Sequence, residues 1–110
     1  MASVERGDLI MINFDPTKGV EQAGHRPALV ISRKVFNEAT GLTFICPITS
    51  QQKNYPFEVS LGEDLPIHGV VLTDQLKSLD LDSRTFDVRG SVPESIITEV
   101  QQKLNKIINE

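Results

Sequence analysis

The sequence predicts one mainly β domain of the α+β class, in which a small, strongly bent antiparallel sheet or barrel carries a C-terminal helix. Three observations indicate this class. Short runs of β-forming residues alternate with turn residues from residue 8 to residue 90, the end of the chain changes to helical spacing, and 110 residues with 39% hydrophobic content suffice for one core. We therefore expect residues 1–110 to form a single domain.

Runs rich in β-branched and aromatic residues mark the expected strands. They are residues 8–14, 27–32, 42–48, 57–61, 69–72 with 75–79, and 85–90. The segments 69–72 and 75–79 predict either one bent strand or two short ones. A short turn or helical piece is expected at residues 35–39, before a break at Thr40 and Gly41.

Two interruptions in this pattern are informative. Residues 16–25 are polar and contain glycines without a helical or strand period, which predicts a loop of about ten residues, a length that is often functional. Pro47 falls inside the third strand. Because proline donates no N–H to a ladder, it predicts an edge or bulge position there.

The C-terminal segment predicts an amphipathic helix of about 16 residues, near 24 Å long at 1.5 Å per residue. Residues 91–94 supply a capping pattern with a proline near the first turn. One face carries the apolar residues Ile96, Ile97, Val100, Leu104, Ile107 and Ile108, and the opposite face carries Glu99, Gln102, Lys103 and Lys106.

Charge is unevenly distributed along the chain. Lys and Arg total 11 against 15 Asp and Glu, and the formal charge of -4 argues against a surface that grips duplex nucleic acid. Residues 14–57, however, carry five basic and three acidic side chains, whereas residues 58–110 carry five basic and ten acidic ones. Any anion-binding surface is therefore expected in the first half of the chain.

Composition also disfavours several classes of protein. No apolar run approaches the about 20 residues that span a bilayer, and the N-terminus lacks the apolar stretch of a signal peptide, so we expect a cytoplasmic protein with no membrane partner. The single cysteine, Cys46, cannot form an internal disulfide. Two histidines without metal-ligand spacing predict no metal site, and we expect no other cofactor.

Two polar clusters are candidates for a functional site. Glu21, Gln22, His25 and Arg26 lie within six residues, and such a group could hold a phosphodiester. Residues 49–51 follow the third strand, so both clusters would open onto one face if the second and third strands are neighbours. Structural roles remain open as alternatives. Arg26 could cap backbone carbonyls or pair with an acid at the surface, His25 could be a solvated loop residue, and residues 49–51 could simply form a turn.

Six stretches of the sequence occur in an order and spacing that identify a resemblance. They are RGDLI at 6–10, FDPTKG at 14–19, EQAGHRPA at 21–28, PITS at 47–50, YPFEV at 55–59 and GVVLTDQLKS at 69–78. Together they resemble the MazF/PemK toxin family, most of all its MazF branch, from about residue 6 to residue 79.

The resemblance implies a homodimeric endoribonuclease with a small SH3-like barrel and a C-terminal helix. Such a protein is the toxin of a type II toxin–antitoxin system, an mRNA interferase that stops growth, and it is held inactive by a MazE-like antitoxin. It would cut single-stranded RNA at short motifs without a metal, leaving 2′,3′-cyclic phosphate and 5′-hydroxyl ends. It would not bind DNA by itself.

The resemblance also implies roles for individual residues. The family's catalytic arginine falls on Arg26, its catalytic threonine on Thr49, and a loop acid proposed to assist falls on Glu21. Either Glu21 or His25 could accept the proton of the attacking hydroxyl. The expected RNA-binding residues are Lys18, Gln22, His25, Ser50, Gln51, Asp74, Gln75 and Lys77.

Two departures from the family pattern affect this interpretation. A histidine and an arginine of the PemK/Kid branch are replaced here by Val20 and Leu72, so the MazF-like catalytic set is preferred. Residues 79–87 are unusually acidic, which bears on the path of the RNA. Two other functions remain open: a CcdB-like topoisomerase inhibitor acting through protein contacts, and an RNA- or peptide-binding module that does not cleave.

Overall fold

The computed structural model describes residues 3–13 and 25–109. Their secondary structure consists of strands and helices separated by short turns. In chain order these are β1 (Asp8–Asn13), β2 (His25–Val30), α1 (Lys34–Thr40), β3 (Thr43–Thr49), β4 (Glu58–Ser60), β5 (Val70–Leu72), a 3-10 turn (Thr73–Gln75), β6 (Lys77–Leu79), a second 3-10 turn (Leu81–Ser83), β7 (Phe86–Ser91) and α2 (Glu94–Asn109). Within these residues no helix combines the length and apolarity needed to cross a bilayer.

All strand pairs are antiparallel, in the order β4-β5-β3-β2-β1-β7, and β6 also pairs with β3. One edge of β3 therefore serves two partners: Thr43 to Ile45 pair with β6, and Ile48 and Thr49 pair with β5. This division bends the sheet about β3. The structure confirms the predicted class, a small barrel-like antiparallel sheet with one C-terminal helix.

The expected strands lie within one or two residues of the observed ones. Residues 69–79 form two strands, β5 and β6, separated by a 3-10 turn, rather than one bent strand. β2 begins at His25, earlier than predicted, because β1 pairs with it as far as the Asn13–His25 pair. The predicted loop at 16–25 lies outside the described residues, except for His25.

The predicted edge or bulge position of Pro47 is wrong, since β3 is the central strand. Pro47 pairs with Ala28 of β2 on one side. On the other side it falls between the end of the β6 pairing at Ile45 and the start of the β5 pairing at Ile48. Neither β6 nor β5 pairs with Pro47, so this point of the strand tolerates a residue that has no N–H to donate.

Two apolar clusters lie on opposite faces of the sheet, as the period-two alternation of the strands requires. The first packs against α2 and includes Leu9, Leu29, Cys46, Ile48, Val59, Val71, Ile97, Val100 and Leu104. The second includes Val4, Ile10, Ile12, Ala28, Val30, Ile45 and Leu81.

Helix α2 has the predicted 16 residues, but its apolar face is shorter than its sequence indicates. Ile97, Val100 and Leu104 are buried, whereas Ile107 is 42% and Ile108 68% exposed. The last turn of the helix therefore extends past the first cluster and leaves these two side chains in solvent.

Cys46 is a buried core residue. Burial raises the pKa of its thiol to about 12, and the negative charge of Asp74 acts in the same direction. Because the thiolate is the reactive form, this cysteine is chemically inert at neutral pH.

A buried asparagine ties the N-terminal segment to the sheet. Asn37 in α1 donates from Nδ2 to the carbonyl oxygens of Val4 (2.9 Å) and Ser32 (3.2 Å), and its Oδ1 accepts from the Ser32 hydroxyl. The Ser32 oxygen in turn accepts from the Phe44 N–H at 2.9 Å. Asn37 is only 3% exposed, so a polar group that loses its hydrogen-bond partner here cannot bond to water instead.

Replacing Asn37 by Ala should lower the free energy of unfolding by about 2 to 3 kcal/mol, because the Val4 and Ser32 carbonyls lose their donor. Urea unfolding followed by circular dichroism measures this loss. Glu38→Ala, an exposed position in the same helix, is the control and should change the free energy by about 0.5 kcal/mol or less. Equal effects of the two substitutions would contradict the role of Asn37.

Candidate active site

Arg26 and Thr49 lie on neighbouring strands at the same end of the sheet. Ala28 of β2 pairs with Pro47 of β3 in the last pair of that ladder, and Arg26 and Thr49 each lie two residues beyond it, towards the same end of the sheet. Because side chains alternate between the two faces of a strand, Arg26 shares the face of Ala28 and Thr49 the face of Pro47, so both belong to one face of the sheet. The condition for the two polar clusters to open together, adjacent second and third strands, is therefore met.

Arg26 and Thr49 differ in their exposure and in their neighbours. Arg26 is exposed, and its neighbour on the other side is the buried Ile12 of β1. Thr49 is half-buried, and its Oγ1 accepts from the Gln51 N–H at 3.2 Å. Because that bond uses an acceptor position, the hydroxyl hydrogen of Thr49 remains available for donation to a ligand oxygen.

A cavity of about 490 Å³ opens beside Thr49. It is bounded by the end of β3, the following loop, and the turn after β5. Its lining residues are Thr49, Gln51, Lys53, Asn54, Tyr55, Pro56, Glu58, Leu72, Asp74 and Gln75. Four residues expected at the site from the sequence, namely Thr49, Gln51, Asp74 and Gln75, are thus brought together.

Other expected site residues lie away from this lining. Ser50 is exposed next to Thr49, and Arg26 and His25 lie on β2. Lys77 pairs with Ile45 of β3, which is four residues and about 13 Å along the strand from Thr49. Lys18, Gln22 and Glu21 lie outside the described residues.

His25 is placed at the beginning of β2, opposite Asn13 of β1. Its Nδ1 is shielded from solvent and has no hydrogen-bond partner among residues 3–13 and 25–109. Any proton exchange between His25 and a ligand would therefore use Nε2.

The loop that forms one wall of the cavity is anchored to three different elements. The Glu58 carboxylate accepts from the backbone N–H groups of Lys53 (3.2 Å) and Tyr55 (3.4 Å). The Thr73 hydroxyl donates to the Phe57 carbonyl at 2.6 Å, and Lys103 Nζ of α2 donates to the Pro56 carbonyl at 2.6 Å. The wall is thus held by β4, by the 3-10 turn and by the C-terminal helix.

An aromatic residue, Tyr55, and a carboxylate, Asp74, both line the cavity. Hydrogen bonding to the Asp74 side chain, reinforced by its negative charge, raises the pKa of the Tyr55 phenol. The Tyr55 ring also makes an edge-to-face contact with Phe57, with centroids 5.7 Å apart. Tyr55 is the only tyrosine of the chain and is 44% exposed.

Six cavity residues are absent from the sequence-based set: Lys53, Asn54, Tyr55, Pro56, Glu58 and Leu72. The available signal is the lone tyrosine directly after the polar run 49–54, since an exposed aromatic beside polar residues is a common platform for bases. The role of Glu58 has no sequence signal, because it arises from the folded path of the loop.

The acidic stretch 79–87 lies on another part of the sheet. Phe86 pairs with Ile12 of β1, which places it two strand spacings, about 10 Å, from Arg26. Its carboxylates make local contacts: Asp80 accepts from the Asp82 N–H at 3.0 Å, and Asp87 lies 3.7 Å from Arg89.

The close approach of β5 to β3 requires a glycine. Gly69 has φ of +125°, and a Cβ at this position would lie 2.3 Å from the carbonyl oxygen of Thr49. Only glycine adopts this conformation and leaves room for that carbonyl. The position of Thr49 beside the cavity therefore depends on Gly69.

This fold and this arrangement of a cation, a hydroxyl and a polar cavity describe a small barrel-like protein suited to bind a phosphodiester. Comparison with known proteins agrees. A family model for PemK-like, MazF-like toxins of type II toxin–antitoxin systems matches residues 5–108. The chain therefore belongs to this family of toxins.

Individual relatives match over nearly the whole chain. The endoribonuclease toxin MazF of Escherichia coli strain K12 is 45% identical over 94% of this chain and 93% of its own length. The Escherichia coli endoribonuclease PemK is 36% identical over 97% and 84%, respectively. A crystal structure of MazE-MazF from Deinococcus radiodurans superposes with a TM-score of 0.86 at 38% identity, covering 99% of this chain and 98% of the matched chain.

Replacing Gly69 by Ala should displace Thr49 and lower the free energy of unfolding by about 2 to 3 kcal/mol, because the methyl group overlaps backbone atoms. Gly62→Ala is the matched control, since Gly62 also has a positive φ (+77°) but nothing lies within 4 Å of its Cβ position. We expect that control to cost about 1 kcal/mol. Urea unfolding measures both values, and a Gly69→Ala protein as stable as Gly62→Ala would refute the close approach.

Proposed function

We propose that this endoribonuclease toxin cleaves single-stranded RNA at short motifs, without a metal, by attack of the 2′-hydroxyl of the RNA on the adjacent phosphate. The observation that carries the proposal is that Arg26 on β2 and Thr49 on β3 lie at the same end of two neighbouring strands, with the cavity opening beside Thr49. The family and its endoribonuclease relatives support the same reaction class.

The reaction needs three kinds of assistance. The 2′-hydroxyl gives its proton to a base of the protein as its oxygen bonds to phosphorus, and negative charge grows on the non-bridging oxygens. The bond to the 5′-oxygen then breaks, and that oxygen takes a proton from solvent water. The products are a 2′,3′-cyclic phosphate and a 5′-hydroxyl. Because the nucleophile belongs to the substrate, the protein does not have to activate water.

Arg26 supplies the fixed positive charge. A guanidinium is a permanent cation in proteins, so this side chain stabilises the phosphorane oxygens and donates a hydrogen bond towards the leaving oxygen rather than acting as a full general acid. A preorganised donor of this kind contributes about 3 to 4 kcal/mol to the transition state. The Thr49 hydroxyl donates to a non-bridging oxygen and holds the phosphate in register.

The proton acceptor is Glu21 or His25. Glu21 is the loop acid of the family pattern, and His25 carries an imidazole, the side chain most often used as a general base. For His25 the shielded Nδ1 leaves Nε2 as the accepting atom. The remaining RNA contacts are assigned to Lys18, Gln22, Ser50, Gln51, Asp74, Gln75 and Lys77.

The same proposal includes two protein partners. One is a second copy of the chain, which forms a homodimer and completes the RNA groove. The other is a MazE-like antitoxin, whose extended segment orders on the toxin and covers the groove. The Deinococcus radiodurans MazE-MazF structure supports such a pairing in a relative. We place the activity in the cytoplasm, where mRNA is translated.

Arg26→Ala should reduce cleavage of a mixed-sequence RNA in EDTA by about 100-fold or more, because the phosphorane loses its cation. Thr49→Val, which keeps the shape but removes the hydroxyl, should also reduce it. End mapping of the products checks the chemistry. Arg89→Ala, an exposed arginine paired with Asp87 on β7, is the control and should cleave like the wild type. Wild-type cutting by Arg26→Ala, or a strict need for Mg²⁺, would overturn the proposal.

The affinity for single-stranded RNA should depend only weakly on salt, because a short single-stranded motif makes few phosphate contacts and residues 14–57 carry only five basic side chains. With about two to four contacts, log K should fall against log salt with a slope of about -1.4 to -2.8. Fluorescence anisotropy with an RNA that carries 2′-deoxyribose at the cut site measures this slope. A slope steeper than about -5 would indicate a broad basic surface instead.

A further inference from the structure

We propose that the cavity beside Thr49 binds one RNA base that carries an exocyclic amino group, stacking it against Tyr55 and accepting a hydrogen bond from its amino group at Asp74. Uracil, which lacks this group, is then excluded. The inference rests on the proposed function, since it assigns the base next to the phosphate held by Arg26 and Thr49.

The cavity has the size and the wall for a base. About 490 Å³ lies within the range of small-molecule sites, and Thr49 contributes to its lining, so a nucleotide bound at Thr49 has its base within reach of the cavity. Tyr55 provides the aromatic surface, and the chain has no tryptophan. The contact with Phe57 and the backbone bonds to Glu58 fix the ring before a ligand arrives.

Asp74 provides the hydrogen-bond acceptor. Asp74 lines the cavity beside Tyr55, and hydrogen bonding to the Asp74 side chain raises the pKa of that phenol. A carboxylate has about four acceptor positions, so this contact leaves others for an amino group. Glu58, the other carboxylate of the lining, already accepts from the backbone of the loop and therefore acts as a positioning residue.

The chemistry of the bases then sets the preference. Adenine, cytosine and guanine each carry an amino group on the edge used for pairing, whereas uracil has a single N–H between two carbonyl oxygens. A carboxylate attracts the amino group and repels the carbonyls. The side-chain amides of Gln51 and Gln75 line the same cavity and can donate to the ring nitrogen or carbonyl beside the amino group.

The test removes only the amino group. Once the cleavage motif of the wild-type protein is mapped, each base is replaced in turn by its deamino analogue: purine for adenine, inosine for guanine, or 2-pyrimidinone for cytosine. We expect one position next to the cut to lose about 10- to 100-fold in kcat/KM, the size of one good base contact. In Asp74→Ala the same replacement should change kcat/KM less than about threefold, because the acceptor is already absent.

Matched variants separate the contact from general damage. Tyr55→Phe keeps the ring for stacking but removes the hydroxyl that contacts Asp74. The loss of kcat/KM caused by deamination of the base should therefore become smaller. Asp64→Ala replaces an exposed aspartate outside the cavity lining and should keep the full wild-type discrimination. Binding of oligomers with 2′-deoxyribose at the cut site, measured by anisotropy, should follow the same pattern independently of the chemical step.

The outcomes distinguish the inference from the proposed function. If the wild type cuts RNA but no position responds to deamination, or Asp74→Ala keeps the wild-type response, the base pocket is refuted and the cleavage reaction stands. If the wild type cuts no RNA, the proposed function fails. The pocket is then judged by binding alone: tenfold tighter binding of adenosine than of uridine oligomers, lost in Asp74→Ala, supports it, and equal binding refutes it.

Discussion

The structure depends on the pairing of one strand, β3, along both of its edges. One edge pairs with β2 from Ile45 to Pro47, and the other changes from β6 to β5 near Pro47. The first pairing brings the strand ends that carry Thr49 and Arg26 to the same end of the sheet, and the second places the turn after β5 beside Thr49. A single strand thereby determines which neighbouring strands carry the cation and one wall of the cavity beside the hydroxyl of Thr49.

The cavity itself is built outside the core by a loop, and its shape depends on contacts from distant parts of the chain. Glu58, Thr73 and Lys103 each hold one portion of that loop. Since Lys103 belongs to α2, the C-terminal helix contributes to the site as well as to the core. Preorganisation of this kind lowers the entropy lost when a ligand binds, because the wall does not have to order at that moment.

The sequence predicts where strands and helices lie better than it predicts which elements they pack or pair with. Period-two and helical patterns place the strands and α2 because burial on one face imposes those periods on local sequence. The role of Pro47 could not be read in this way, because a change of strand partner is decided by residues 70–79, far away in the chain. The exposed Ile107 and Ile108 show the same limit, since the helical period continues after the core has ended.

Prediction of the site residues from the sequence is limited in the same way. Arg26 and Thr49 are predicted by their chemistry and by resemblance to a known family, and the sheet places their strands side by side. Glu21, Lys18 and Gln22 stay predictions, as do all the individual roles. Tyr55 and Glu58 were missed because their function depends on the folded loop. Residue type and spacing reveal groups that act alone, but they do not reveal a pair such as Tyr55 and Asp74 that is joined only by tertiary structure.

The distribution of charge explains how an acidic chain can handle RNA. The carboxylates of Asp74 and Glu58 outnumber the one cation of the cavity lining, Lys53, whereas Arg26 lies outside the lining on β2. In the proposed complex the cavity therefore disfavours the phosphate, which binds at Arg26, and accepts a neutral base. The negative charge thus orients the nucleotide, and the RNA needs only a few cations along its backbone. The net charge of the chain is a poor guide to its ligand, because opposite local charges act on different parts of that ligand.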